Sequence, residues 1–392
     1  MDLDYTSAQQ ALRGELRAYL QTTMTPDVRS ALADQSGCAE LSRSLTRRFG
    51  RDGWLGIGWP AEYGGRGGTA IEQYIVFDEM DRAGAPFPFV SVNTVAPTLL
   101  RFADDRQKDT YLPGILAGEV IFAIGYTEPD AGTDLASLRT SAVLDGTEWV
   151  VNGSKVFTTG ANDADVIWLA CRTDPDLPRH AGISIILVPT SAPGFAWTPI
   201  RTVGDLMTTT TYYSDVRVPA DHLVGEPGLG WRMITTQLNH ERVGLAARAG
   251  RVWRLWSEVR DWALAVEAPE GARVMDRAWV RADLARCFVR LEAMDLLNRR
   301  VLADLATDRL QPADASAVKV YATETQVEVY RLLLGILEAG GWLRAGSPGA
   351  ALRGEVERAA RTEQINTFGG GANDVQREII AATGLRMIRG ER

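Results

Sequence analysis

Cysteine and histidine are scarce in this chain, with three of each among 392 residues. The cysteines are odd in number and far apart, at Cys38, Cys171 and Cys287. This spacing predicts no disulfide framework and no pair of metal-binding thiolates. The histidines are equally scattered, so we expect no metal centre.

Long apolar runs are missing as well, and we expect no leader sequence. No stretch approaches the roughly 18 consecutive apolar residues that cross a membrane as a helix. The first residues, MDLDYTSAQQALRGEL, are acidic and lack the basic and apolar regions of a secretory signal. We therefore expect a cytoplasmic protein without a membrane span.

The chain also lacks an excess of basic charge. Its formal net charge of −8 argues against nucleic acid as the main partner, because phosphate backbones require a basic face. A phosphorylated small molecule held by a few arginines is compatible with this charge.

Several common catalytic motifs are absent. The sequence has no GxGxxG after a strand and no GxxxxGK[ST], GxSxG or HExxH. It therefore does not indicate nicotinamide binding to a Rossmann fold, P-loop hydrolysis, serine hydrolysis or zincin chemistry.

The residue periodicity divides the chain into three regions. Helical spacing dominates residues 1–120 and 231–392, while strand-like runs such as DVIWLACR and GISIILVPT fill residues 121–230. We expect Ser7 to cap the first helix and Gly84 to end a later one. Asn152-Gly153 predicts a tight hairpin, because both residues accept positive φ angles. The resulting prediction is an N-terminal helical domain, a middle β domain and a C-terminal helical domain.

Two polar segments of the β region are candidates for holding a planar cofactor. GYTEPDAGTDLASL contains Tyr126, Thr127 and a turn that ends in Gly132 and Thr133, and these residues offer hydroxyls and backbone amides. NGSKVFTTGAND adds Phe157, an aromatic face, with Thr158 and Thr159. Taken alone, the first segment is equally well explained as a hydrogen-bonded surface loop.

The motifs together resemble those of the acyl-CoA dehydrogenases. GWLGIGWPAEYGG, QKDTYLPGILAGE, GYTEPDAGTD, NGSKVFTT, SDVRVPADHLVGE and FGGGANDVQRE occur in the order and spacing of that family and span nearly the whole chain. The resemblance implies an α+β, mostly α fold, with an N-terminal helical domain, a middle β domain and a C-terminal four-helix bundle. It further implies FAD between the β domain and the helices, bound near Tyr126, Thr127, Gly132, Thr133, Phe157 and Thr159. An electron-transferring flavoprotein is the electron acceptor that the family implies.

The resemblance also suggests where the catalytic base lies. Most of the family carry this Glu in a C-terminal segment, but here Gly370 of FGGGANDVQR occupies that place. A minority place the base on the first helix after the β domain, directly before an Arg, and Glu241 and Arg242 match that pattern. We predict Glu241 as the base and Arg242 as a supporting residue, with His240 in a packing role. The alternative for Glu241 is a solvated carboxylate on the helix surface.

The proposed chemistry requires a carboxylate with a raised pKa. Removal of the proton α to a thioester is favoured when burial lifts the pKa of a Glu from about 4.3 toward neutrality. The enolate oxygen then needs preorganised donors.

Two family segments that reach a neighbouring subunit's FAD are altered here. ARVMDRAWVRADL lacks the usual Phe-Gly, and ILEAGGWLRAGSPG lacks the usual Gln. We therefore expect a heteromer in which a second dehydrogenase-like subunit completes the site. The chain is similar to α subunits of the α2β2 actinobacterial members of the family that act on steroid side chains. Phe157 and Ala372 stand where the family usually has Trp and Thr.

Three alternatives follow from the same residues. The first alternative is a dehydrogenase of simpler branched or medium-chain acyl-CoAs. The second is a non-catalytic subunit that completes a partner's site, and the third is an oxygen-using flavin monooxygenase. Retention of Thr127, Phe157, Thr159 and Glu241 argues against a non-catalytic subunit. A base at Glu241 also disfavours the monooxygenase.

Overall fold

The structure is a computed structural model that describes residues 4–33, 38–246, 249–269, 271–307 and 309–387. The side chains of residues 33, 239–246 and 306 lie outside this description. Helices occupy both ends of the chain and a single sheet lies between them, so the predicted α+β, mostly α architecture is confirmed.

The N-terminal region is built from helices, as predicted. Thr6 rather than Ser7 caps the first of them: Gln9 N donates to Thr6 Oγ1 at 3.2 Å, and the Gln9 side chain bonds back to the Thr6 N–H. Gly84 ends the fourth helix in the left-handed region, as expected. The helices are α1 (Ser7–Thr23), α2 (Pro26–Ala33), α3 (Cys38–Arg51), α4 (Ala70–Ala83), a π-helical turn (Val90–Val95) that continues into α5 (Ala96–Phe102), and α6 (Asp105–Leu116).

The middle region forms one curled sheet. Strand β4 pairs with β1 in parallel and with β5 antiparallel, and a single residue pair, Ser141 with Arg172, joins it to β2. From β2 the sheet continues antiparallel through β3 and β7 to β6. The strands are β1 (Phe122–Gly125), β2 (Ser141–Asp145), β3 (Glu148–Lys155), β4 (Val166–Arg172), β5 (Ile183–Pro189), β6 (Phe195–Arg201) and β7 (Met207–Pro219).

The predicted hairpin at Asn152-Gly153 is wrong. Both residues lie inside β3, which pairs with β7 across a register shift between Val151 and Gly153. The hairpin turn lies earlier, at Gly146, between β2 and β3. Gly153, at φ 146°, supplies a β-bulge instead. Pairing with a strand about sixty residues away therefore overrides the local turn preference.

The C-terminal region is helical, with α10 at its centre. It packs against α7, α8, α9, α12 and α13. Helix α4 packs against α8 and α9, which joins the N-terminal helices to this region. Among the described helices, none combines the length and hydropathy needed to cross a membrane. The helices are α7 (Gly230–Ala246), α8 (Gly250–Ala265), α9 (Ala278–Ala306), α10 (Pro312–Ile336), α11 (Glu338–Gly341), α12 (Glu355–Glu363) and α13 (Asn373–Ile379).

Strand β4 separates two of the three apolar clusters. Alternate residues point to opposite faces of a strand, so a strand covered on both sides is apolar throughout. One face of β4 packs in a cluster with the N-terminal helices, and the other face packs in a cluster with residues of the other strands. The residues are Val166, Trp168 and Ala170 on the first face, and Ile167, Leu169 and Cys171 on the second. A third cluster fills the C-terminal helices.

Candidate active site

The two segments predicted to hold a cofactor lie side by side at the ends of β1 and β3. The backbone N–H of Val156 donates to the carbonyl oxygen of Thr127 at 2.8 Å. Lys155 Nζ donates to the carbonyl oxygen of Tyr126 at 3.0 Å. Because β1 and β3 are not neighbours in the sheet, these bonds are what join the segments. They place Tyr126 and Thr127 against the start of the loop that carries Phe157.

A buried ion pair reinforces this junction. Lys155 Nζ lies 2.8 Å from Glu128 Oε1, and both side chains are buried. Glu128 also accepts hydrogen bonds from the backbone N–H groups of Arg139 and Thr140, at 2.7 and 2.8 Å. Burial by itself raises the pKa of Glu128, but the attraction of Lys155 and these hydrogen bonds outweigh it and hold that pKa below its usual value. Burial lowers the pKa of Lys155, and Glu128 opposes that shift.

Phe157 presents an exposed aromatic ring beside a row of hydroxyls. Its backbone is left-handed, with φ 60°, and 60% of the residue is exposed. Thr158 is tied to β7, since its N–H donates to the carbonyl of Thr209 at 3.0 Å and the Thr209 hydroxyl donates back at 2.7 Å. Thr159 Oγ1 lies 3.0 Å from Thr208 Oγ1. A strained backbone that displays a large apolar ring indicates a functional surface.

Gly132 and Thr133 lie farther out. Backbone hydrogen bonds in both directions between Glu128 and Ala131 close the preceding turn. Both Gly132 and Thr133 are exposed, and a Cβ at Gly132 would meet no atom within 4 Å. The structure therefore brings together Tyr126, Thr127 and the Phe157 loop, whereas Gly132 and Thr133 stand at the open rim.

Helix α7 approaches this junction through Gln237. The hydroxyl of Tyr126 bonds to Gln237 Oε1, and Trp168 Nε1 donates to the same hydroxyl at 3.1 Å. Gln237 is buried, at 1% exposure. This contact attaches α7 directly to the segment that contains Thr127.

Glu241 and Arg242 belong to α7, whose backbone is helical as predicted. Their side chains lie outside the described residues, so both roles stay predictions. Glu241 follows Gln237 by four residues, and positions four apart share one side of a helix. The backbone of Glu241 is therefore on the side of α7 that meets the Tyr126 segment.

The glycine-rich segment around Gly370 is held by α10. Lys319 Nζ, which is buried, donates to the carbonyl of Gly371 at 2.9 Å and to Asn373 Oδ1 at 2.7 Å. Gly370 and Gly371 have φ angles of 66° and 102°, which are strained for residues with a Cβ. A Glu at position 370 would be strained in this conformation, in agreement with a base located elsewhere.

These features fit a flavin. An isoalloxazine ring needs an apolar ring beside it and hydrogen-bond donors and acceptors along its edge. Phe157 offers the apolar ring, and the exposed Thr159 hydroxyl offers the hydrogen-bonding group. The Lys155–Glu128 pair holds both segments in place behind this surface.

Sequence reasoning missed Gln237, Glu128 and Lys155. Gln237 had a usable signal, because it stands one helical turn before the predicted base. Glu128 and Lys155 lie inside the two quoted motifs, yet their pairing across 27 residues depends on how the strands are arranged.

Comparison with known families covers most of the chain. The models for the N-terminal, middle and C-terminal domains of acyl-CoA dehydrogenases match residues 6–119, 123–216 and 228–385.

Curated relatives and solved structures match over the full length. Acyl-CoA dehydrogenases FadE26 and FadE29 of Mycobacterium tuberculosis are each 47% identical, covering 100% and 99% of both chains. A chain of the structure titled Tcur3481-Tcur3483 steroid ACAD is 55% identical, with a TM-score of 0.94 and full coverage of both chains. A chain of the ChsE4-ChsE5 complex from Mycobacterium tuberculosis is 48% identical, with a TM-score of 0.93 and the same coverage.

Family models, relatives and structures agree over all three regions of the fold. Members of this family generally depend on FAD, and the surface around Phe157 fits that cofactor. The chain belongs to the acyl-CoA dehydrogenase family and is an oxidoreductase that acts on acyl-CoA.

Proposed function

We propose that this chain carries out the FAD-dependent α,β-dehydrogenation of a bulky acyl-CoA, of the steroid side-chain class to which 3-oxocholest-4-en-26-oyl-CoA belongs. The product is the trans-2-enoyl-CoA. The observation that carries the proposal is the Trp168–Tyr126–Gln237 contact, because it joins the helix of Glu241 to the candidate cofactor surface. The word steroid in the name of a 55% identical structure supports the substrate class.

Each group then has a defined task. Glu241 removes the α proton of the thioester as a carboxylate, and the C–H electron pair becomes the new double bond as the β hydrogen leaves with its own pair. FAD, when bound, would supply the two-electron oxidant, with N5 as the hydride acceptor. Tyr126, Thr127, Phe157 and Thr159 would hold the flavin, and Gly132 and Thr133 would line the rim of its site. Arg242 supports the base from the next position on α7.

The test of the base is Glu241→Gln in the FAD-loaded protein. This change keeps the size of the side chain and removes its basicity, so turnover should fall by about 10²–10⁴-fold while flavin stays bound. Glu292→Gln, an exposed carboxylate on α9, is the matched control and should leave turnover unchanged. Unchanged turnover in Glu241→Gln would show that another group is the base.

We further propose that a second acyl-CoA dehydrogenase-like subunit completes the site in an α2β2 heteromer. The altered ARVMDRAWVRADL and ILEAGGWLRAGSPG segments support this, as do the paired proteins named in the two similar structures. Flavin absorbance should be low when the chain is purified alone and close to one FAD per shared site after co-expression with the partner. Full flavin loading of the chain alone would contradict the heteromer.

The substrate class is tested by competition between acyl-CoAs. The ratio kcat/KM should be higher for the steroid acyl-CoA than for octanoyl-CoA, with electron-transferring flavoprotein as acceptor. A preference for octanoyl-CoA would favour the simpler dehydrogenase. Oxygen consumption that matches substrate loss would favour the monooxygenase instead.

A further inference from the structure

Gln237 combines a buried position with an incomplete set of hydrogen bonds. The residue is 1% exposed, and its Oε1 bonds to the hydroxyl of Tyr126. Its Nε2 has no hydrogen-bond partner among the described residues. Buried amide donors are nearly always paired, because an unpaired donor loses its hydrogen bond to water and gains nothing in return. An acceptor is therefore expected beside Nε2 when the site is in use.

The orientation of the Gln237 amide follows from its neighbours. Trp168 Nε1 is a donor only, so at 3.1 Å it uses the Tyr126 hydroxyl as an acceptor. The Tyr126 O–H in turn donates to Gln237 Oε1. These two hydrogen bonds direct Gln237 Oε1 toward Tyr126. The other end of the amide, Nε2, therefore points away from Tyr126.

The described residues next to Gln237 on α7 pack into an apolar cluster. Met233 and Ile234 on the preceding turn of α7 are fully buried in the cluster formed with the N-terminal helices. Leu238 and Tyr126 pack against the same cluster. The π-helical turn that packs against α7 carries a second unpaired polar atom, the buried hydroxyl of Thr94. An unpaired amide donor beside apolar side chains is typical of a pocket that orients a largely hydrocarbon ligand through one oxygen.

Gln237 and its partner Tyr126 are close in the sequence to residues that are predicted to act on the reacting end of the ligand. Tyr126 directly precedes Thr127 of the candidate cofactor surface, and Gln237 precedes Glu241 by one helical turn. Gln237 thus links the turn of α7 that precedes the Glu241 backbone to the segment that carries Thr127. Under the proposed function, a thioester binds between Glu241 and the flavin, and therefore close to this link.

We propose that Gln237 is a specificity-determining residue whose Nε2 donates a hydrogen bond to an oxygen of the bound acyl-CoA, with Tyr126 and Trp168 as its positioning residues. This inference rests on the proposed function and adds a residue to it. The acceptor is a carbonyl oxygen, from the thioester or from the acyl group. A site with such a donor discriminates against ligands that lack the oxygen.

The experiment uses the FAD-loaded protein and two probes. The first is the 2-enoyl-CoA product of 3-oxocholest-4-en-26-oyl-CoA, which already has the α,β double bond and so cannot undergo the reaction again. The second is the thioether analogue, in which a methylene replaces the thioester carbonyl. Gln237→Met keeps the volume and removes the donor, and dissociation constants are measured by calorimetry. We expect the dissociation constant of the first probe to rise by about 5–20-fold in Gln237→Met.

The two carbonyl sources give different patterns. If Gln237→Met weakens binding of the thioester probe alone, the acceptor is the thioester oxygen. If it weakens binding of both probes equally, the acceptor is an oxygen on the acyl group. Tyr126→Phe removes the hydroxyl that holds Gln237 Oε1, so the amide can rotate. The dissociation constants should then rise by a smaller factor and in the same pattern as in Gln237→Met. Thr235→Val, an exposed hydroxyl that bonds only to carbonyls of α7, is the control and should change neither constant.

Two results would overturn the inference. Unchanged dissociation constants for both probes in Gln237→Met, with normal FAD content, would show that a water molecule satisfies Nε2. In that case wild-type turnover persists, and the proposed function stands without this residue. If the wild-type protein neither binds the first probe nor oxidises the saturated acyl-CoA, the proposed function fails and the inference fails with it.

Discussion

Lys155 and Glu128 are the residues on which the geometry of the candidate cofactor surface depends. Each lies in one of the two motif segments, and their ion pair is almost wholly withdrawn from water. A buried pair of this kind contributes little net stability compared with an apolar pair, but breaking it leaves one charge without compensation. Its value to this protein is therefore in fixing the position of the segments.

Lys155→Met should be strongly destabilising for this reason. We expect the free energy of unfolding to fall by about 3–5 kcal/mol, with loss of flavin, because Glu128 stays buried and unpaired. Adding Glu128→Gln should recover much of the loss. Arg179→Met removes an exposed pair with Asp134 and should have no measurable effect in the same urea titration. Equal effects of the buried and exposed changes would refute the argument.

At the scale of elements, the bulge in β3 determines where the Phe157 loop leaves the sheet. A Cβ at Gly153 would lie 2.5 Å from Thr140 Oγ1 and 2.7 Å from Thr140 Cα. The close approach of Thr140 and the φ angle of 146° both require glycine at this position. Two residues later, Lys155 reaches Glu128 and the strand ends.

Gly153→Ala should therefore cost more than an equivalent change in an open turn. We expect the free energy of unfolding to fall by about 2–3 kcal/mol, together with weaker retention of flavin. Gly146→Ala is the matched control, since Gly146 also has a positive φ but no atom within 4 Å of its Cβ position. It should cost about 1 kcal/mol and leave flavin content unchanged. Equal losses of stability would show that strain at Thr140 is unimportant.

At the scale of the whole molecule, α4, α8 and α9 meet at an acidic junction that joins the N-terminal and C-terminal helices. Burial, followed by repulsion from Asp78 on α4, raises the pKa of Asp295 to about 7. Trp253 Nε1 on α8 donates to Asp295 Oδ2 at 3.1 Å, and Arg82 and Arg299 oppose the shift. Burial raises the pKa of Asp78 as well, with Arg82 opposing and Glu79 and Asp81 assisting.

This junction predicts a loss of stability as pH rises. The pKa of Asp295 is higher in the folded protein than the ordinary value of about 3.9, so its favourable contribution is complete below pH 4 and is lost as pH approaches 7. Asp295→Asn cannot ionise and should raise the melting temperature at pH 8 more than at pH 5. Glu292→Gln on the same helix is exposed and should change neither value. A uniform shift at both pH values would exclude titration of Asp295 as the cause.

The order of the domains was predictable because periodicity is a local property of the chain. Spacing near 3.6 residues located the helices at both ends, and runs such as DVIWLACR located buried strands. Gly84 ended its helix as expected, since helix termination depends on a few adjacent residues. The hairpin at Asn152-Gly153 failed because pairing with β7 is not local. The assignments of the cofactor residues, Glu241 and Arg242 stay predictions.

The sequence by itself determined the helix–β–helix order and the family, because these depend on patterns within a few residues, and it predicts the segments that carry the chemistry. Only the tertiary structure decided which side chains meet. Tyr126 and Gln237 are 111 residues apart, and Lys155 and Glu128 are 27 apart on strands that are not neighbours. The raised pKa of Asp295 likewise arises from burial between three helices. Such contacts follow from how the elements pack, and local periodicity carries no information about that packing.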